Sequence, residues 1–416
     1  MSNIKILPSS LSGSITIPAS KSACHRSIIC AALSNGTSII KNCGTSADID
    51  ATLSGMRALG ASFQECNGYL EFSGIKPPKS CTISCNESGS TLRFLLPIAA
   101  ALGVNATFTG EGRLPTRPIK VLTDVLCQGG VNCSSDTLPL TISGKFKGGK
   151  YHLPGNISSQ YITGLLFALA LTETTSQIML TTELESAPYV DMTIAEMKCF
   201  GIDVQTTESG YKLDGNQNFC PCERTAPGDW SQAAFFISAA AIGGNITIKG
   251  LDENSLQGDR KAVDVFKKFG AEVCFSNGEL NIKKGNLKGI RVDASQIPDM
   301  VPAIAVTAAF AEGTTIIHSA ARLRVKESDR LFETAIRLRD FRVDVEETDD
   351  GLIIHGGNPT GASIDGANDH RIVMAFAILA AYSKNQSIIV GFEAINKSYP
   401  DFFDDFNKLG GNSNVL

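Results

Sequence analysis

The sequence predicts an α/β protein of two similar domains. Each is built from three βαβαββ repeats, with helices inside and sheets outside. Three observations predict this. First, a helical pattern that ends on glycine and runs into a short strand recurs six times. The helix-ending residues are Gly60, Gly130, Gly201, Gly270, Arg342 and Gly410, at spacings of 70, 71, 69, 72 and 68 residues. Second, each repeat carries an earlier helix rich in alanine and small apolar residues, at 27–33, 92–102, 162–171, 233–241, 301–311 and 372–382. Helices that are apolar nearly all round belong inside a core. Third, β-branched strands such as 37–40, 246–248 and 314–317 follow those helices after a turn.

Glycine suits the repeated helix end because the chain must turn through a left-handed residue before the next strand. Arg342 breaks the series and must bear that conformation or cap the helix differently. A strand at 14–17 precedes the first buried helix, and the Pro227-Gly228 turn opens the fourth repeat. The expected domains are therefore 1–20 plus 228–416, and 21–227. The first combines the N-terminal strand with the C-terminal half of the chain. Two crossings side by side would act as a hinge.

The chain has 416 residues, 43% hydrophobic and 19% charged, which is enough for domains with real cores. Its net charge of −5 offers no overall basic field for nucleic acid. The first residues contain no signal-peptide run, and no apolar run approaches the roughly 18 residues of a membrane span. The twelve cysteines are scattered. Most read as small buried hydrophobes, with Cys24, Cys30, Cys127 and Cys199 inside helices. A disulfide framework is not expected in a chain of this size without a secretion signal. These features predict a cytoplasmic protein.

The charged stretch Arg324-Val325-Lys326-Glu327-Ser328-Asp329-Arg330 reads as a helix start, because Leu331, Phe332 and Ile336 follow at apolar spacing. Helix starts offer unpaired N–H groups and the positive end of the dipole. With Lys326 and Arg330 added, the stretch becomes an anion site that contains a carboxylate, Glu327. The plainer alternative is an exposed helix start in which Glu327 pairs with Arg330. Other repeats also place polar residues at helix starts. They include Ser20-Lys21-Ser22 with His25-Arg26, Glu87-Ser88-Gly89-Ser90 with Arg93, and Ser158-Ser159-Gln160. Asp229-Trp230-Ser231, Pro298-Asp299 and Asn368-Asp369-His370-Arg371 complete the set. Second helices add Arg113, Arg117, Ser186, Tyr189 and Lys397.

Serine, aspartate and asparagine at these places act as N-caps. Capping does not explain Lys21, Arg26, Arg117, Lys326, Arg330, Arg371 and Lys397. A cation at a helix N-terminus costs a few tenths to ~1 kcal/mol. Their accumulation predicts a bound polyanion, such as two phosphate groups of about −1.5 to −2 charges each, in a cleft between the domains. No nucleotide motif accounts for them. The run Gly144-Lys145-Phe146-Lys147-Gly148-Gly149-Lys150-Tyr151 resembles a P-loop, but Tyr151 stands where Ser or Thr would hold magnesium. His25, His152, His318, His355 and His370 show no metal-binding spacing, so no metal site is expected. His370 reads as orienting a neighbour or as a structural residue.

Taken in order, the motifs resemble those of the enolpyruvyl transferase family over nearly the whole chain. They are Pro18-Ala19-Ser20-Lys21-Ser22, Glu87-Ser88-Gly89-Ser90, Arg113 with Arg117-Pro118, Ser158-Ser159-Gln160, Arg324 to Arg330, Asn368 to Arg371, and Lys397-Ser398-Tyr399-Pro400-Asp401. The family's two-domain inverted (inside-out) α/β barrel agrees with the six repeats. The resemblance implies transfer of the enolpyruvyl group of phosphoenolpyruvate to the 5-hydroxyl of shikimate 3-phosphate by addition–elimination. Phosphate is released, and the product serves aromatic amino acid biosynthesis.

By that resemblance Lys21, Ser22, Arg26, Ser158, Ser159, Gln160, Ser186, Asp299 and Lys326 hold shikimate 3-phosphate, with Tyr189 a neighbour. Lys21, Gly89, Arg117, Gln160, Arg330, Arg371 and Lys397 hold phosphoenolpyruvate. Asp299 is expected to be the base on the acceptor hydroxyl and Glu327 the acid, assisted by Lys21. The domain 1–20 plus 228–416 carries the phosphoenolpyruvate side and these acid–base residues, and 21–227 the shikimate 3-phosphate side. No metal or organic cofactor is implied. The partners are the two small-molecule substrates, with no nucleic acid and no membrane, and the chain is expected to be a monomer. Arg322 stands where many relatives have Asn, and Phe94 where many have Pro. The nearest rival is the sister enzyme that uses UDP-N-acetylglucosamine. It carries a reactive cysteine in the loop corresponding to 111–118, which has none here. A non-catalytic phosphosugar-binding protein is the rival from another class.

Overall fold

The computed structural model describes residues 2–416. The chain divides into two compact units, 1–18 with 227–416 and 19–226. Each has its own hydrophobic core. Six four-stranded sheets are present among the described residues.

One repeat shows the rule. Strands Ser80–Ser84 and Asn105–Thr109 are parallel and flank the helix Gly89–Leu102 in sequence. Leu140–Ser143 then adds antiparallel, and Asn132–Cys133 closes the far edge. Alternating burial along Leu140–Ser143 shows one face on the core and one toward solvent.

Two strands depart from simple chain order. Ser12–Thr16 lies parallel to Asn245–Lys249, in the sheet of the fourth repeat. Glu223–Thr225 lies parallel to Ser38–Lys41, in the sheet of the first. The first repeat thus takes its opening strand from residues 223–225 and not from the segment just before its helix. A strand the sequence reading did not foresee, Asn3–Leu7, lies between Ser387–Val390 and Asn412–Val415.

The helices Trp230–Gly243, Val301–Ala308 and His370–Tyr382 pack on one another inside the first unit. Residues 230–242 are all buried. The expected helix over 301–311 is shortened: regular helix ends at Ala308. The starts are earlier than apolar spacing suggested. Lys21, Gly89 and Ser159 each open their helix, because Ser20, Ser88 and Ser158 cap them by accepting backbone N–H bonds.

In the second unit, Gly89–Leu102 and Ser159–Ala170 pack directly together. Gly164 permits this, since a Cβ there would strike the carbonyl oxygen of Arg93. Pro97 sits inside the helix four residues after Arg93 and has no N–H to give that carbonyl. The helix interior that proline interrupts is therefore also where the neighbouring backbone comes closest.

The six helix ends behave alike. Gly60, Gly130, Gly201, Gly270, Arg342 and Gly410 all have positive φ, from 66° at Arg342 to 106° at Gly270. Around Arg342, Arg342 N donates to Arg339 O and Val343 N to Leu338 O, at 2.9 and 3.0 Å. That is the double bond of a left-handed helix stop. Arg342 uses the same cap as the glycines and bears a Cβ in a conformation that disfavours one. Arg342→Gly is expected to raise stability by about 0.5–1 kcal/mol in urea unfolding, with activity unchanged. A loss of stability would mean that the exposed arginine side chain contributes more than its strain costs.

All twelve cysteines are free thiols. Only Cys24, Cys30 and Cys85 are buried; Cys127 and Cys199 are exposed, contrary to the expectation that they pack inward. Each lies on a helix face turned to water. The 144–149 segment is a turn between strands Leu140–Ser143 and Lys150–Leu153. Among the described residues no helix is long and apolar enough to cross a membrane.

Candidate active site

The first unit gathers Asp299, Lys326, Glu327, Arg330 and Arg371 into one ion-pair network. Asp299 stands in the short 3-10 turn Pro298–Met300 that leads into the helix Val301–Ala308. Its carboxylate accepts from Arg330 Nη1 at 3.0 Å and from Arg371 Nη2 at 3.1 Å. Arg371 Nη1 also donates to the Asp299 carbonyl at 3.1 Å, and Lys326 Nζ lies 3.7 Å from Oδ1. Burial raises the affinity of Asp299 for a proton, but Arg371, Lys326 and Arg330 outweigh it and hold the carboxyl well below the usual range.

Arg330 is the hub, with only 2% of its side chain exposed. It donates to Glu327 Oε2 at 2.7 Å and, through Nε, to Asp369 Oδ2 at 2.8 Å. Asp369 is fully buried. It also accepts from Ser328 Oγ at 3.0 Å and caps the next helix by accepting Arg371 N at 2.9 Å. One carboxylate thus fixes the loop before Arg330 and the helix bearing Arg371. Lys397 Nζ donates to the Asn368 carbonyl at 2.6 Å. The left-handed backbone of Ala367 and Asn368, φ 54° and 48°, turns the chain just before this cap. Burial lowers the Lys326 pKa to about 8, with Arg330 and Arg322 adding to the fall and Asp299 and Glu327 opposing it.

The second unit holds the remaining expected residues. Lys21 Nζ pairs with Asp48 Oδ2 at 2.6 Å. Arg26 donates to Thr193 Oγ1 at 2.8 Å, to the Tyr189 carbonyl at 2.7 Å and to the Ser22 carbonyl at 2.6 Å. Its guanidinium lies 5.5 Å from the Phe94 ring centroid and 6.0 Å from that of Tyr189. Burial lowers its pKa to about 10, which leaves it charged at neutral pH. Ser186 stands at the N-cap position of the helix Ala187–Cys199 in a left-handed conformation, φ 54°, without a side-chain cap bond.

Around Gly89, Arg93 Nη1 donates to Gln160 Oε1 at 3.2 Å and to the Gly89 carbonyl at 3.3 Å. Gln160 Nε2 donates to Ser90 Oγ at 2.9 Å. A Cβ on Gly89 would lie 2.8 Å from Arg117 Nη1 and closer still to Arg93 Nη1. Glycine therefore lets two guanidinium groups approach the helix start. Ser158 and Ser159 form the cap and first residue of the helix that carries Gln160.

Three readings of the sequence are corrected here. The stretch 324–330 is not the first turn of a helix. Ala321–Val325 is a 3-10 turn, Lys326 to Ser328 form a loop, and the helix begins at Arg330 because Asp329 caps it. Of the seven cations, only Lys21, Arg330 and Arg371 stand in a first helical turn. Arg26 is one turn in, while Arg117, Lys326 and Lys397 sit at the ends of 3-10 turns. The positive charge of the first unit's cluster is offset within the fold: Lys326, Arg330 and Arg371 stand among Asp299, Glu327 and Asp369. Their gathering does not by itself demand a bound polyanion.

The profile of the family described as EPSP synthase (3-phosphoshikimate 1-carboxyvinyltransferase) matches residues 7–406. The chain belongs to the EPSP synthase family. A relative from Clostridium novyi, named 3-phosphoshikimate 1-carboxyvinyltransferase, is 44% identical over 99% of this chain and 98% of its own. One of the same name from Clostridioides difficile is 41% identical over the same shares. The solved EPSP synthase of Acinetobacter baumannii superposes with a TM-score of 0.84 at 29% identity over the full length of both chains. The fold is thus that of the EPSP synthases, and the chain is an enzyme of that family, a carboxyvinyltransferase.

Three side chains absent from the expected EPSP synthase site belong to these clusters: Asp369, Asp48 and Arg93. Asp369 was legible as a cap, and its second role as partner of Arg330 depends on tertiary packing. Arg93 was visible one turn beyond Gly89, without the Gln160 contact that gives it a task. Nothing in the sequence marks Asp48. Arg322 donates to the Ser295 carbonyl. Among the described residues no group of three or more His, Cys, Asp or Glu is placed to hold a metal ion.

Proposed function

We propose that this EPSP-synthase-family chain transfers the enolpyruvyl group of phosphoenolpyruvate to the 5-hydroxyl of shikimate 3-phosphate and releases phosphate, as a step of aromatic amino acid biosynthesis. The observation that carries the reading is the network on Arg330, where Asp299 and Glu327 share one buried cation. Two carboxyl groups among cations are what an addition–elimination between anions needs.

In this reading Lys21, Ser22, Arg26, Ser158, Ser159, Gln160, Ser186, Asp299 and Lys326 hold shikimate 3-phosphate. Lys21, Gly89, Arg117, Gln160, Arg330, Arg371 and Lys397 hold phosphoenolpyruvate. Asp299 takes the proton of the 5-hydroxyl as its oxygen bonds to C2 of phosphoenolpyruvate, and Glu327, with Lys21, gives a proton to the methylene carbon. Glu327, now a carboxylate, takes a proton back from the new methyl group, the C2–O bond to phosphate breaks, and the vinyl double bond is restored. Unliganded, Asp299 is a weak base because three cations surround it. Substrate anions that engage Arg371, Lys326 and Arg330 share their field, and the basicity of Asp299 rises. The cations stabilise charge on the leaving phosphate.

Lys326 supplies a pH test. Its charge is present below about pH 8 and is lost as pH rises through that value. kcat/KM for shikimate 3-phosphate is therefore expected to fall as pH rises through about 8, and Lys326→Arg to remove that fall. A flat wild-type profile to about pH 9.5 would separate Lys326 from the acceptor. We place the enzyme in the cytoplasm as a monomer acting on small molecules, without nucleic acid or membrane. Calorimetry paired with a turnover assay tests the function. Binding of both ligands with no phosphate released would make the chain a binding protein.

A further inference from the structure

Behind the start of the helix Gly89–Leu102 runs a chain of four buried side chains that the proposed reaction does not use. His25 Nδ1 and Thr52 Oγ1 are 2.8 Å apart, Thr52 Oγ1 and Thr91 Oγ1 2.7 Å, and Thr91 Oγ1 and Ser88 Oγ 2.8 Å. His25 is 1% exposed and the other three 0%. The chain joins the helices Lys21–Leu33 and Ala47–Ala58 to the cap of the third, since Ser88 is the N-cap of Gly89–Leu102.

The far end fixes the direction of the hydrogens. Ser88 Oγ already accepts from Thr91 N at 3.2 Å, and Thr91 Oγ1 lies 3.5 Å from the Asp48 carbonyl, which can only accept. The Thr91 hydroxyl donates its single hydrogen to Ser88 Oγ, so it accepts from Thr52. The single hydrogen of Thr52 is then used, so Thr52 accepts from His25 Nδ1–H. His25 Nε2 is buried and makes no hydrogen bond among the described residues. The opposite tautomer would leave a buried N–H there, which folded proteins tolerate less well than an unused acceptor. Burial, with Lys21 and Arg26 nearby, holds the His25 pKa well below its ordinary value, so the ring is neutral and carries one hydrogen.

We infer that His25 is a positioning residue for phosphoenolpyruvate: its Nδ1–H, through Thr52 and Thr91, holds Ser88 and with it the backbone N–H groups at the Gly89 helix start. The inference rests on the proposed placement of phosphoenolpyruvate at Gly89. Helix starts bind anions through such N–H groups, and small misplacements of a binding group are costly. Fixing the cap from three helices at once keeps those groups aimed without a residue that touches the ligand.

His25→Leu keeps the bulk and removes the donor, Thr52→Val breaks the middle link, and His25→Asn offers an amide N–H where Nδ1–H stood. The Kd and KM for phosphoenolpyruvate are expected to rise about fivefold or more in His25→Leu and Thr52→Val, the value of one lost hydrogen bond. kcat and KM for shikimate 3-phosphate are expected to stay within about twofold, and His25→Asn to resemble wild type within about twofold. Nitrogen NMR of the wild-type enzyme is expected to show His25 protonated on Nδ1. An unchanged Kd for phosphoenolpyruvate in His25→Leu, equal harm from His25→Asn, or a hydrogen on Nε2 would each overturn the inference. A wild-type protein that turns over neither substrate would instead sink the functional reading, while the tautomer and the calorimetric Kd still test the relay.

Discussion

Asp299→Ala and Glu327→Ala each lower kcat by at least ~10²-fold, the usual contribution of a proton-transfer group. The fold survives both changes, because Arg330 keeps two of its three carboxylate partners in either variant. Removing Asp299 leaves Glu327 and Asp369; removing Glu327 leaves Asp299 and Asp369. Each variant also gains net positive charge around Arg330, so KM for phosphoenolpyruvate is expected to stay level or fall. A drop in kcat without a rise in KM separates lost chemistry from lost binding. Steady-state kinetics with both substrates decide the matter. Wild-type turnover in either variant removes that residue from the mechanism.

Arg330→Ala is the second large effect, and it acts on both stability and binding. Its guanidinium is nearly inaccessible and is shared by Asp299, Glu327 and Asp369. Burial opposes its charge, but Asp369, Glu327 and Asp299 hold it protonated. Taking out the cation leaves Asp369 fully buried and opposed only by weaker partners, a loss of about 3–5 kcal/mol. Urea unfolding reads that loss, and KM for phosphoenolpyruvate is expected to rise in the same variant. Adding Asp369→Asn removes the stranded charge, so the double variant is expected to lose less than the two single losses combined. A loss under about 1 kcal/mol would contradict the buried hub. An unchanged KM for phosphoenolpyruvate would contradict the placement of that substrate on Arg330.

The sixfold repeat was legible because a local requirement marks it. Each helix must leave through a left-handed residue, so glycine recurs, and even Arg342 keeps the conformation. The buried helices were legible from their small apolar residues. The strand partners were not: Ser12–Thr16 and Glu223–Thr225 are short, and only tertiary pairing decides which sheet receives them. In the site, sequence identified the cations and the two carboxylates expected to move protons, but not the carboxylate that organises them. Asp369 looks like any N-cap until Arg330 and Ser328 are brought to it. Helix onset was misplaced at 324 because charge and apolar spacing mark an amphipathic helix but not its first residue. Asp329, whose side chain accepts from Phe332 N, sets that boundary.

Phosphate release from phosphoenolpyruvate, followed with shikimate 3-phosphate or UDP-N-acetylglucosamine as acceptor, is the most direct test. Release that depends on shikimate 3-phosphate, and is absent with the nucleotide sugar, is the predicted result. Release with the nucleotide sugar alone, or with neither acceptor, would contradict the assignment of these two clusters to one carboxyvinyl transfer.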